Sequence, residues 1–130
     1  CEYERRARRQ LENAVGLLAR GELDKAGEML WGAFVGYINA ISALLTGEPL
    51  KRHGEIRAAA SEIAVARGDR ELLDLLGHAE ILHANFCYGF MSREEFMGYY
   101  EGVLRALRRL EDILMGLREV VLKLSREAEP

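Results

Sequence analysis

Proline occurs only at positions 49 and 130 of this 130-residue chain. Residues 1–48 and 50–129 are therefore free of the strongest helix breaker, which lacks a backbone N–H and whose ring clashes with the preceding turn. β-Branched residues are scarce as well: one Thr, and few Val or Ile beside many Leu, Ala, Glu and Arg. This inventory predicts an all-α chain and argues against a sheet. The length is that of one ordinary domain, so residues 1–130 are expected to form a single helical bundle.

Glycine punctuation and apolar periodicity predict five helices. The first covers about Glu2 to Arg20, with Tyr3, Ala7, Leu11, Ala14 and Leu18 on one face and Gly21 as its C-cap. The second runs from about Glu22 to Thr46, close enough behind to make an antiparallel hairpin. Gly47-Glu48-Pro49 is the clearest break, because Pro49 pushes Glu48 from helical angles. The third covers about Lys51 to Arg67, and Gly68 ends it. Asp69 is a candidate N-cap for the fourth, Arg70 to Tyr88, with Leu72, Leu75, Leu76, Ala79, Leu82 and Phe86 inward. After Gly89, Ser92 and Glu95 form a capping box that opens the fifth and longest helix. The expected architecture is an up-and-down bundle of four to five antiparallel helices with a long C-terminal helix.

That last helix carries Phe96, Tyr100, Val103, Leu107, Leu110, Leu114, Leu117, Val121 and Leu124 at alternating steps of four and three, a heptad seam. Two readings stand. The seam crosses different neighbours inside its own bundle, or part of it meets a second copy. Candidates for a dimer seam are Leu110, Ile113, Leu117, Val120, Val121 and Leu124. The second helix poses another alternative. Residues 29–45 carry no charge, and Gly32-x-x-x-Gly36 is a spacing that lets helices approach closely. Seventeen such residues lie at the lower edge of a bilayer span. Asn39, Ser42 and Tyr37 within the segment favour the buried centre of a bundle over a membrane helix, with Trp31, Phe34, Ile38 and Leu45 filling the side opposite the small residues.

The net charge of −3, with 15 Arg against 3 Lys, excludes a strongly basic nucleic-acid binder but not a local basic patch. Arg5, Arg6, Arg8 and Arg9 form such a patch, a candidate contact for phosphate or RNA. A solvated face laced by Glu2–Arg6, Glu4–Arg8 and Arg8–Glu12 pairs is the plainer reading. Arg105, Arg108 and Arg109 form a second cluster. Two cysteines make no disulfide framework, and the opening stretch has no apolar signal region, so a cytoplasmic location is expected.

Catalytic signatures are few. Glu80-Ile81-Leu82-His83 puts a carboxylate and an imidazole on one helix face, but di-iron bundles need a second such pair. His78 lies five residues from His83 and so points elsewhere, and His53 has no spaced partner; no metal and no cofactor are expected. Cys87 stands one turn after His83, and is read as a small buried residue rather than a nucleophile. No phosphate-binding glycine loop or nucleophile elbow occurs. His83, Asn85 and Tyr88 make a polar cluster in an otherwise apolar stretch. With Asn39 and Glu80 they are the candidate lining of a ligand or partner groove, unless His83 is a core histidine bonded to Asn39 or a Tyr hydroxyl.

Two stretches, Lys25-Ala26-Gly27-Glu28-Met29-Leu30-Trp31-Gly32-Ala33 and Ala79-Glu80-Ile81-Leu82-His83-Ala84-Asn85-Phe86, resemble the signatures of archaeal PaREP-type proteins. Those are similar to the HEPN-like helical bundles, named for nucleotide binding in higher eukaryotes and prokaryotes. The resemblance covers about residues 8 to 118. It implies a bundle of four or five helices, a homodimer, and a nucleotide, RNA or nucleotidyltransferase-like protein as partner. Ribonuclease members carry an Arg, four to six residues, then a His. Here seven residues separate Arg70 from His78, and the fifth helix has no His. The resemblance therefore implies a non-catalytic binding module, the alternative being a divergent ribonuclease that uses His83 or His78 with a nearby Arg.

Overall fold

The computed structural model describes residues 2–48, 50 and 52–128. Among them are five helices and no strand: α1 (Glu2–Ala19), α2 (Leu23–Thr46), α3 (His53–Arg67), α4 (Arg70–Tyr88) and α5 (Arg93–Ala128). The expected bounds hold to within two residues. Pro49 and Lys51, on which the sequence places the main break and the start of the third helix, lie outside the described residues. The turns follow local chemistry. Gly21, Gly47, Gly68 and Gly89 all have positive φ, between 59° and 81°, the left-handed region that a side chain disfavours. Asp69 caps α4 by accepting the Leu72 N–H at 3.0 Å. Ser92 caps α5, its hydroxyl accepting from Glu95 N–H at 3.2 Å and donating to the Glu95 carboxylate at 3.1 Å.

α2 is the hub and packs against all four other helices. Leu30, Phe34, Tyr37, Ile38 and Ile41 are essentially fully buried along it. It is long and apolar enough to cross a bilayer by length and composition, yet its close-approach face is filled by α1 of the same chain. A Cβ on Gly36 would lie 2.8 Å from Ala7 Cβ and 3.3 Å from the Tyr3 carbonyl. Gly32 similarly seats Gln10. α4 runs antiparallel to α2, and α5 lies against both. Trp31, Phe34 and Ile38 are buried as expected; Leu45, in the last turn of α2, is instead exposed at the edge of an apolar cavity that it lines with Ala59 and Ile63 of α3.

α1 approaches only α2 closely and is joined to α5 by charge. Glu4 is almost fully buried and accepts from Arg8 at 2.9 Å and from Arg118 of α5. Arg8 also donates to Glu111 at 3.2 Å. A hydrogen bond to Tyr37, and then the Glu4 charge, raise the Arg8 pKa above its ordinary value. On another side of the same stretch of α5, Arg109 binds Asp69 and, at 2.9 Å, Glu71, while Arg105 meets Glu71 at 3.1 Å. Two members of the second arginine cluster thus clamp α5 to the first turn of α4, and Arg108 is exposed.

The heptad seam divides along its length. Leu110 and Ile113 belong to the chain's own core rather than to a surface that a second copy could reach. Leu117 is half-buried against that core. Val120, Val121 and Leu124 are exposed, because α1 and α2 end near this level while α5 continues.

Glycine packing yields a test with opposite signs. Gly36→Ala forces a rigid methyl against Ala7 and should cost about 1–3 kcal/mol. Gly98→Ala, in α5 with nothing within 4 Å of its added Cβ, should gain about 1 kcal/mol from helix propensity alone. Urea unfolding of the two variants measures both.

The Tyr100 hydroxyl is buried without a hydrogen-bond partner among the described residues, and burial raises its pKa above the usual tyrosine value. The unfolded chain therefore releases this proton at lower pH than the folded one. Stability is unaffected below about pH 10 and falls above it. Tyr100→Phe should leave stability at pH 7 unchanged or higher, since it removes an unsatisfied polar atom. It should also flatten the loss above about pH 10, read from thermal midpoints across pH.

Candidate binding face between the second and fourth helices

The candidate groove residues do not form one set. His83, half-exposed on α4, sets Nδ1 3.0 Å from both carboxylate oxygens of Glu28 on α2. Its ring stacks on Trp31, with centroids 5.0 Å apart and planes 24° from parallel. Glu28 and Trp31 are three residues apart, so one face of α2 presents the carboxylate and the indole together. His83 is therefore a histidine paired to an acid at the edge of the core. Glu80, one turn earlier on α4, meets Arg57 of α3 at 3.5 Å. Two carboxylates, an imidazole and a guanidinium thus stand on one face across α2, α3 and α4, with the buried indole beneath the imidazole.

Asn85 and Asn39 do other work. Asn85 is 2% exposed. It donates to Asp24 at 3.1 Å and accepts the Met91 N–H at 2.9 Å, so it ties the α4–α5 turn to the start of α2. Asn39, also buried, accepts the Leu50 N–H at 2.8 Å and draws the α2–α3 link back along α2. Tyr88 lies at the end of α4, strongly exposed and outside the groove. Phe86 is likewise exposed rather than inward, and Cys87 is an exposed free thiol rather than a small buried residue. Both follow from position, because α4 has passed beyond the helices that would cover its last turn.

The other histidine sits apart. His78 lies on Gly102 of α5, where an added Cβ would fall 2.5 Å from Nδ1, and meets Tyr99 edge-on at 5.0 Å. That Nδ1 is buried without a hydrogen-bond partner among the described residues. His53 opens α3, and its side chain is outside the described residues. No group of three or more His, Cys, Asp or Glu among the described residues could hold a metal ion.

In the basic patch, Arg6 pairs with Glu2 at 3.2 Å and Arg8 with Glu4 and Glu111, leaving Glu12 aside. Arg5 and Arg9 are exposed and make no ion pair among the described residues. Of the four arginines, these two keep charge available to an external anion.

Glu28 does not stand out in the sequence as a site residue because its partner lies 55 residues away. The available signal is a carboxylate three residues before a Trp on an otherwise apolar helix. The asparagine pin makes a direct test. Asn85→Ala strands the Met91 N–H and the Asp24 carboxylate, and should cost about 2 kcal/mol by urea unfolding. Hydrogen exchange at the Met91 amide should accelerate well beyond the global change.

Residues 2–107 match the archaeal PaREP1/PaREP8 family. No curated protein and no solved structure matches the chain. The family match spans α1 to α4 and the first half of α5, including both stretches that meet at the Glu28–His83 contact. The chain belongs to the archaeal PaREP1/PaREP8 family.

Proposed function

We propose that this protein is a HEPN-like helical module, homodimeric, that acts by binding a nucleotide or RNA rather than by catalysis. The observation that carries the reading is the Glu28–His83 pair on Trp31. It brings the two signature stretches into one half-exposed face, where the His83 ring, backed by the buried indole of Trp31, stands beside a carboxylate. A hydrogen-bonding ligand with a flat ring suits such a face. Arg5 and Arg9 supply the cationic groups that a phosphate needs, on a separate helix. The proposed setting is the cytoplasm, with α2 as the centre of a single bundle domain rather than a membrane span. A nucleotidyltransferase-like protein is the proposed macromolecular partner.

Catalysis is disfavoured on local grounds. Near His83 the guanidinium of Arg57 faces Glu80, so its charge is already balanced by a carboxylate.

A thermal-shift series against nucleotides and structured RNA tests the reading, because a ligand that binds only the folded state raises the midpoint. At a ligand concentration one hundred times Kd the gain is about 2.7 kcal/mol. His83→Ala and Glu28→Gln should abolish the shift. Arg5→Glu with Arg9→Glu should weaken it and reduce its salt dependence. No shift with any nucleotide or RNA overturns the ligand class. Cleavage of RNA that disappears in His83→Ala or His78→Ala overturns the non-catalytic reading in favour of a divergent ribonuclease. Light scattering at micromolar concentration should give twice the chain mass, and a strict monomer removes the homodimer.

A further inference from the structure

Two of the exposed apolar patches stand at opposite ends of α5. The first is the α4–α5 turn, where Phe86, Tyr88 and Phe90 are the exposed aromatic side chains of the described residues, all within five positions. Tyr88 is 81% exposed. This turn is held in shape: Gly89 takes the left-handed conformation with its N–H on the Asn85 carbonyl at 2.7 Å, and the Asn85 side chain fixes Met91 and Asp24. A rigid turn displaying aromatic side chains loses little entropy on binding. The second patch is the end of α5, where Val120, Val121, Leu122 and Leu124 project past the rest of the bundle.

We infer that a second copy covers both patches at once, its α5 running antiparallel so that each C-terminal tail lies on the other copy's aromatic turn. This specifies the geometry of the homodimer proposed above and rests on that reading. Two observations support it. First, the patches are separated by α5, whose 36 residues span about 54 Å at 1.5 Å each. A two-fold axis across the middle of α5 therefore brings tail to turn twice, and the contact closes rather than running on as a filament. Second, the area suffices. The two patches together expose roughly 700–800 Å² per copy, near the roughly 800 Å² that each partner buries in a standard interface. Tail against tail would bury only about half of that and leave the aromatic turn in water.

Crosslinking tests the arrangement with the native thiol. In a Cys1→Ser background, Cys87 is the remaining cysteine and is exposed beside the turn. The further substitution Ser125→Cys places a second exposed thiol in the tail. Within one chain these positions are tens of ångströms apart along α5, whereas a disulfide needs Cα atoms within about 7 Å. Mild oxidation should therefore give a covalent dimer whose peptide map joins Cys87 of one chain to position 125 of the other. The same chain with Cys87→Ser should give at least tenfold less crosslinked product. A dimer by light scattering that crosslinks only 125 to 125 or 87 to 87 overturns this arrangement and leaves the homodimer standing. A monomer overturns both. As a second measurement, Tyr88→Glu and Leu124→Glu, each at an exposed position, should raise the dimer dissociation constant at least tenfold with unchanged helix content. Variants that dimerise as tightly as the parent overturn the proposal.

Discussion

An apolar helix of 24 residues has to be covered on every side, and the other elements of this bundle are arranged by that demand. α2 meets it with side chains of two sizes. Its large residues, Leu30, Phe34, Ile38 and Ile41, fill the core, and Gly32 and Gly36 let α1 come in until Ala7 rests on backbone. Gly27 does the same for α5, whose Phe96 would stand 3.0 Å from an added Cβ. The Gly-x-x-x-Gly spacing is used within one chain, for the same steric reason that makes it useful between membrane helices.

Apolar burial does not by itself set the order and register of the covering helices. α1 touches only α2 closely, and its link to α5 is a buried carboxylate shared by two arginines. Such a cluster contributes little net stability relative to a hydrophobic replacement, but removing one member leaves charge uncompensated in the interior. It therefore defines one position of α1 against α5 and disfavours its neighbours. The two asparagines apply the same logic to loops. Asn39 and Asn85 each take up a backbone N–H of a link that no helix satisfies, and so fix where α3 and α5 begin.

What could be read from the sequence is what depends on neighbours within a turn or two. Helix bounds, the glycine C-caps, the Asp69 cap and the Ser92–Glu95 box are local, and each is found where spacing puts it. So is the burial of the apolar stripes through the middle of each helix. Errors gather where helices end. Phe86 and Cys87 continue a buried pattern past the point where neighbouring helices stop, and periodicity carries no information about a neighbour's length. The α5 seam shows this within one element. Leu110 and Leu114 turn to the core and Val121 and Leu124 to the surface, under one unbroken heptad. Partners distant in sequence are equally hidden. His83 and Asn85 stand out as polar residues in an apolar stretch, but their separate roles depend on Glu28 and Asp24, 55 and 61 residues away.

The placement of Glu28 and His83 also constrains what this face can take up. Leucines at both positions would extend the α2–α4 core and add burial at roughly 25 cal/mol per Å². The chain instead keeps a carboxylate and an imidazole there, 3.0 Å apart, half in water and backed by an indole. Covering such a pair with an apolar surface strips its water without replacing the lost hydrogen bonds, a cost of about 1–3 kcal/mol for each polar group left unmatched. A ligand for this face must therefore bring its own donors and acceptors together with a flat surface for the stacked rings. The aromatic turn at the end of α4 exposes few polar groups and favours the opposite chemistry. One short stretch of sequence, residues 83 to 90, thus carries a polar surface and an apolar one on successive turns of the same helix, and Asn85 between them holds both in place.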